Sequence, residues 1–107
     1  MLKKRLRLRA AEVEEILKGG RSVRSAHMQL KLLSGQEPLR SAAVVAKSLV
    51  RKASARNTLR RAIYRAIAST PSPSARGKAL FFLRIIPKEA SNAIIKEEVS
   101  FLLSKIT

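Results

Sequence analysis

The sequence contains no cysteine, no aspartate and no tryptophan, and aromatic residues make up only 4% of its 107 residues. Without cysteine there can be no disulfide, thiolate metal site or cysteine nucleophile, and a reducing compartment is compatible with the chain. The longest apolar runs are far too short to span a membrane. Glu12, Glu14 and Glu15 follow the basic start where a signal peptide would have an apolar stretch, so we expect a cytoplasmic protein.

Positive charge is what the sequence has in excess. Lysine and arginine number 23 against 7 acidic residues, all of them glutamate, which gives a formal net charge of +16. Between Glu37 and Glu89 the chain carries twelve basic residues and no acidic one. A small domain with this charge attracts polyanions, and the charge exceeds the net value of about 2–8 that solubility requires. The composition therefore predicts a nucleic-acid-binding protein.

The hydrophobic pattern predicts one α+β domain over residues 1–107, with residues 1–9 as a basic N-terminal arm. Apolar residues recur with helical spacing in some segments and alternate in others, and glycine or proline separates the segments. The predicted helices are Ala10–Lys18, which Gly19-Gly20 ends, a second from about Ser54 to Ser69 and a third from about Ser91. The predicted strands are Ala26–Leu33, Leu39–Ala46 antiparallel to the first, and a buried strand at Ala79–Ile86. A turn at Ser34–Pro38 and a loop at Thr70–Gly77 connect them.

The central helix is divided into an apolar side and a basic side. At about 100° per residue, one side presents arginine, asparagine and tyrosine, whereas alanine, leucine and isoleucine occupy the other. No carboxylate on the helix balances the charge, and a solvated face would usually mix glutamate with the basic residues. We therefore predict an RNA- or DNA-binding face. The residues assigned to it, with the approach to the helix, are Lys47, Arg51, Lys52, Arg56, Asn57, Arg60, Arg61 and Arg65.

Few residues could support acid–base or metal chemistry. His27 is the single histidine, it lies on a predicted strand, and no carboxylate partner is apparent to orient it. The neighbouring glutamates at positions 12–15 and 97–98 fall on helix turns, where we interpret them as helix-dipole and solubility features. We expect a polypeptide without a catalytic or metal site of its own, in which His27 is a surface or RNA-contact residue.

The segment Val45–Arg61 resembles the RNR motif of the bacterial ribonuclease P protein subunit. The most specific match is Arg56-Asn57 followed by Arg60-Arg61, and Lys47 and Lys52-Ala53 also match. The chain from Arg7 to Val23 is similar to the family's opening helix and G-x-S-V turn, and the last strand and helix follow the family's order. The departures are Ser48 for a lysine, Thr58 for an arginine, and a spacer that is one residue longer.

This resemblance implies a mixed sheet of three to four strands with three helices in α-β-β-β-α-β-α order and a left-handed crossover. It also implies a protein subunit of ribonuclease P, whose RNA subunit cleaves the 5′ leader of precursor tRNA with Mg²⁺. The partners are then ribonuclease P RNA and precursor tRNA, with no obligate protein partner and no cofactor on the polypeptide. The expected leader-binding residues on the first helix and first strand are Val13, Leu17, His27, Gln29 and Lys31.

Val13 and Leu17 stand where that family often has aromatic side chains, so stacking of leader bases by the first helix is not expected. Two other classes of protein remain open. A structural RNA-binding protein, such as a ribosomal protein, would fit the charge and size equally well. A membrane-surface amphipathic protein would need Trp or Phe beside the basic face, and the sequence has few aromatic residues.

Overall fold

The computed structural model describes residues 7–70, 76–85 and 92–106, in which three helices pack on a four-stranded mixed sheet. The helices are α1 (Ala10–Gly19), α2 (Ala53–Ser69) and α3 (Asn92–Ser104). The strands are β1 (Arg21–Arg24), β2 (Met28–Pro38), β3 (Arg40–Val45) and β4 (Arg76–Leu83). The chain order is α-β-β-β-α-β-α, which confirms the predicted α+β class and element order.

The strands lie in the order β1-β2-β4-β3 across the sheet. β2 pairs with β1 and β4 in antiparallel fashion, and β3 pairs with β4 in parallel. β2 and β3 therefore run in opposite directions, as expected, but they are not hydrogen-bonded neighbours because β4 lies between them. The hydrophobic pattern of β4 explains its central position in the sheet. All five residues of the run Ala79–Leu83 are buried, and a strand of this kind needs to be covered on both faces.

The predicted turn at Ser34–Pro38 is wrong, because β2 continues through these exposed residues to Pro38. The register with β4 is irregular between Leu33 and Pro38, and Gly77 of β4 lies opposite with a φ of 110°. A Cβ at Gly77 would lie 2.3 Å from the Leu33 carbonyl oxygen, so only glycine fits this bulge. Gly77 thus belongs to β4 and not to the predicted loop, of which residues 71–75 lie outside the described part.

Each face of the sheet carries its own core. On the first face, Leu30, Phe81 and Val45 pack against α2 and α3, where Ile63 and Val99 are fully buried. On the second face, α1 packs through one buried side chain. The residues of this smaller core are Ile16, Ala42, Leu80 and Phe82, with Leu8, Val13, Leu33 and Val44 around them.

Charged side chains fix α1 over one end of the second face. Arg40 of β3 donates two hydrogen bonds to the Glu12 carboxylate, at 2.5 and 2.6 Å. Lys78 of β4 lies 3.5 Å from Glu12 and 3.1 Å from Glu15. The Arg9 backbone N–H and the neighbouring Arg40 and Lys78 hold the pKa of Glu12 below its ordinary value. These contacts lie at the start of β3 and of β4, and within residues 7–70, 76–85 and 92–106 no helix packs on the opposite end of this face.

The helix ends agree with the sequence in part. Gly20 N–H donates to the Ile16 carbonyl at 2.8 Å and closes α1, as the two glycines predict. The N-cap of α2 is Lys52, which makes no side-chain cap hydrogen bond, and the helix begins at Ala53, one residue before the predicted start at about Ser54. Ile95, Val99 and Leu102 of α3 are buried, whereas the expected start of this helix near Ser91 and the predicted end of the last strand at Ile86 fall outside the described residues.

Candidate nucleic-acid interface

The α2 helix separates its apolar and basic sides as the sequence predicts. Its buried residues are Ala62, Ile63, Ala66 and Ile67, and these pack in the larger core. The opposite side is exposed and carries Asn57, Arg60, Arg61 and Arg65. Because α2 contains no acidic residue, its guanidinium groups are not neutralised within the helix. Such a face is suited to phosphate oxygens, which guanidinium groups bind through paired hydrogen bonds.

A shallow pocket of about 310 Å³ lies on this basic side. Arg60 donates to the side-chain oxygen of Asn57 at its rim. The Arg7 guanidinium lies over the ring of Tyr64, 5.3 Å from its centroid, and the Tyr64 hydroxyl accepts a hydrogen bond from Ala43 N–H at 3.2 Å. The N-terminal segment thus adds a cation to the side that α2 presents. The pocket is lined by Arg7, Asn57, Arg60, Arg61 and Tyr64.

Arg56 has a different role from the other arginines of α2. It is half-buried, and its Nη1 donates to the carbonyl oxygens of Val50 at 3.0 Å and Arg51 at 2.8 Å. These carbonyls belong to the segment that leads from β3 into α2. Arg56 therefore holds the approach to the helix in place, while Lys47, Arg51 and Lys52 on that approach are exposed.

We expect Arg56→Ala to lower the free energy of unfolding by about 1–3 kcal/mol, the usual range for hydrogen bonds made by a charged group. Arg65→Ala is the matched control, because Arg65 is exposed on the same helix and its replacement removes the same charge. Urea unfolding of both variants measures the difference. Equal stability of the two variants would show that the two carbonyl contacts of Arg56 contribute nothing to folding.

A second polar surface lies on the uncovered end of the sheet face that α1 partly occupies. Gln29 is buried, Lys31 is half-buried, and in the register of the sheet they lie opposite Arg24 and Ser22 of β1. Phe82 of β4 lies opposite Gln29 on the other side. This surface therefore presents basic side chains, with the Phe82 ring buried beneath it.

Two further findings on the described residues concern metal ions and membranes. Within residues 7–70, 76–85 and 92–106, no three His, Asp or Glu side chains lie close enough together to hold a metal ion. In the same ranges, no helix has the length and apolar character needed to cross a membrane.

The Ribonuclease P family model matches residues 2–107. This chain belongs to the ribonuclease P protein family. The search of the curated proteins found no match. Because the family match spans nearly the whole chain, it includes α2 and the sheet face that α1 partly covers.

Solved structures of ribonuclease P proteins share this fold. The Staphylococcus aureus RNase P protein mutant with defective mRNA degradation activity has 22% sequence identity and a TM-score of 0.82, over 95% of this chain and 88% of that chain. The RNase P protein from Thermotoga maritima has 21% identity and a TM-score of 0.78, over 94% of this chain and 97% of that one. The helices and the mixed sheet of this ribonuclease P family member therefore form the fold of those proteins.

The structure brings most of the predicted RNA-binding residues of this ribonuclease P protein together. Asn57, Arg60, Arg61 and Arg65 share the exposed side of α2, and Lys52 is its N-cap. Lys47 and Arg51 are exposed on the approach. Arg56 belongs to the same motif, but its guanidinium is occupied by backbone carbonyls.

The predicted leader-binding residues are divided between three places. Val13 is half-buried in the smaller core, whereas Leu17 is 48% exposed on α1. Gln29 and Lys31 lie on the sheet face that α1 borders, as expected. The placement of His27 with them is wrong, since His27 precedes β2 and its ring bonds to Glu98 of α3 on the other side of the sheet.

His27 also has the carboxylate partner that the sequence did not reveal. His27 Nδ1 lies 2.6 Å from Glu98 Oε2, and Glu98 Oε1 accepts hydrogen bonds from His27 N–H at 2.7 Å and from the Ser25 hydroxyl at 2.5 Å. Burial of Glu98 opposes its ionisation, but these donors outweigh that effect and lower its pKa. The cluster joins α3 to the turn before β2.

The lowered pKa of Glu98 makes stability depend on pH. Its contribution is present above the ordinary value of 4.5 and is lost as the pH falls through the lower folded-state pKa. We expect Glu98→Gln to reduce the unfolding temperature near neutral pH and to approach the parent as the pH falls through the lowered pKa of Glu98. Glu97→Gln, an exposed neighbour with the same change of charge, is the control. A parent–variant difference that stays constant with pH would contradict this assignment.

Two functional candidates, Arg7 and Arg84, were absent from the predicted site, and the contact made by a third, Tyr64, was not foreseen. Arg7 lies far from α2 in the chain and reaches it only because the N-terminal segment bridges to Ser41 of β3. Tyr64 was assigned to the basic side, but its contact with Ala43 depends on how α2 crosses the sheet. In the sequence, Arg84 interrupts an otherwise apolar predicted strand. This interruption could have indicated that Arg84 lies on an open face of the sheet.

Proposed function

We propose that this chain is the protein subunit of a ribonuclease P ribonucleoprotein, which removes the 5′ leader from precursor tRNA. The observation that carries the proposal is the exposed guanidinium side of α2, which has no carboxylate to neutralise it. Its arginines repel one another when no polyanion is bound. Membership of the family supports ribonuclease P RNA as that polyanion.

In this proposal the polypeptide binds and positions, and the RNA subunit carries out the cleavage. Arg60, Arg61 and Arg65 contact phosphates of the RNA subunit, a kind of contact that fixes register and orientation. Asn57 orients Arg60 through the hydrogen bond between their side chains. The sheet face with Gln29 and Lys31 receives the leader of precursor tRNA. Mg²⁺ is held by the RNA subunit, and no residue of the polypeptide takes part in a chemical step.

Reconstitution tests this function. The purified chain is mixed with a bacterial ribonuclease P RNA and precursor tRNA at a Mg²⁺ concentration too low for the RNA to act efficiently alone. We expect cleavage at the mature 5′ end only when both subunits are present. Failure to stimulate the RNA, or cleavage at that site by the polypeptide alone, would overturn the proposal, and copurification of the chain with ribosomal subunits would favour a structural RNA-binding role.

A further inference from the structure

Arg84, the residue after β4, is held in a defined position on the uncovered sheet face. Its guanidinium lies over the Phe82 ring, 4.5 Å from the ring centroid. Its Nε donates to Gln29 Oε1 at 2.8 Å, and Gln29 Nε2 in turn donates to the Ser22 hydroxyl at 2.5 Å. The backbone is fixed as well, because Arg84 N–H donates to the His27 carbonyl at 2.8 Å. A side chain with this many contacts loses little further freedom when it binds a ligand.

The guanidinium group of Arg84 is available to a ligand. Within the described part of the chain Arg84 belongs to no ion pair, and neither of its Nη nitrogens donates to another residue. Arg84 is exposed even though the Phe82 ring beneath it is 9% exposed. The guanidinium therefore covers the ring on one side and presents its other side to solvent.

The surroundings of Arg84 favour a negatively charged, single-stranded ligand. Arg24 and Lys31 lie on the same face and provide positive charge for a phosphate backbone. Val13 and Leu17 belong to α1, which borders this face, and neither side chain has a ring on which a base could stack. A guanidinium plane can take that role, because arginine stacks on the flat faces of nucleobases as well as on aromatic side chains.

We infer that Arg84 is a base-stacking residue for single-stranded RNA, held by Phe82 and Gln29. A nucleobase lies on the solvent side of the guanidinium, while the Nη nitrogens are free to donate to the base edge or to a phosphate. This inference rests on the proposed function and identifies the residue that binds the leader where α1 lacks aromatic side chains. Lys31 then contributes charge, and Gln29 acts as a positioning residue.

Leaders with and without bases test this stacking. The holoenzyme is assembled from the RNA subunit and either the parent chain or Arg84→Lys, which keeps the charge but removes the planar group. Affinity is measured for precursor tRNA whose leader nucleotides are replaced one at a time by abasic ones. We expect at least one abasic position to weaken binding to the parent about tenfold, and we expect Arg84→Lys to bind normal and abasic leaders equally at that position.

The controls separate this inference from the proposed function. Arg21→Lys makes the same exchange at an exposed position of β1 opposite Leu32, away from Gln29 and Arg84, and it should keep the parent's preference for the base. Binding of the RNA subunit by itself reports the α2 interface independently. If the parent binds that RNA but no abasic position matters, or if Arg84→Lys keeps the full preference, the stacking role is overturned and the docking function stands. If the parent does not bind the RNA subunit, the proposed function fails first.

Discussion

Simultaneous replacement of Arg60 and Arg61 by alanine is expected to weaken binding of the ribonuclease P RNA by about 2–6 kcal/mol, or about 1–3 kcal/mol for each lost charge-assisted contact. Both side chains are exposed on one side of α2 and line the same pocket. Each phosphate contact also releases bound counterions, so the dependence of affinity on salt should become shallower by about two units for the double variant. Salt titrations of the RNA-subunit affinity measure both quantities.

The matched control for this variant is the simultaneous replacement of Arg21 and Arg24 by alanine. These arginines are exposed on β1, at the opposite edge of the sheet from β3. The control removes the same net charge but leaves α2 unchanged, so it should have little effect on binding of the RNA subunit. An equal loss of affinity in the two double variants would mean that total charge, and not the α2 surface, determines binding.

Replacement of Ile63 by alanine is expected to lower the free energy of unfolding by about 2–5 kcal/mol, because a fully buried branched side chain leaves a cavity when it is shortened. Ile63 is 0% exposed and lies in the larger core. Leu59, one turn earlier on α2, is only partly buried against that core, so Leu59→Ala should cost less. Urea unfolding of both variants checks the order, and a larger loss for Leu59→Ala would contradict the packing described here.

The basic side of α2 could be predicted from the sequence because it depends on residues close together in the chain. The helical period alone determines which residues share a side, so the exposed positions of Arg60 and Arg61 on α2 were predicted correctly. The end of α1 and the burial of β4 follow from equally local features, namely two glycines and an uninterrupted apolar run.

Other features depend on contacts between distant segments, which periodicity does not report. β1 is four residues long and mostly exposed, so its own pattern is too weak to identify it as a strand. The pairing of His27 with Glu98 joins residues 71 positions apart. Arg56 shares its motif with the exposed arginines, yet only the course of the chain before α2 brings the Val50 and Arg51 carbonyls within its reach.

The short N-terminal bridge to Ser41 also affects how copies of this chain meet. β3 is the outermost strand of the sheet, and an open strand edge can pair with a strand of another molecule. Leu8 N–H donates to the Ser41 carbonyl at 3.0 Å, which occupies the start of that edge, and Arg7 places a cation beside it. Two copies approaching edge to edge would bring like charges together. The positive charge of the chain therefore also opposes self-association, over a range that salt shortens to about 8 Å at physiological ionic strength.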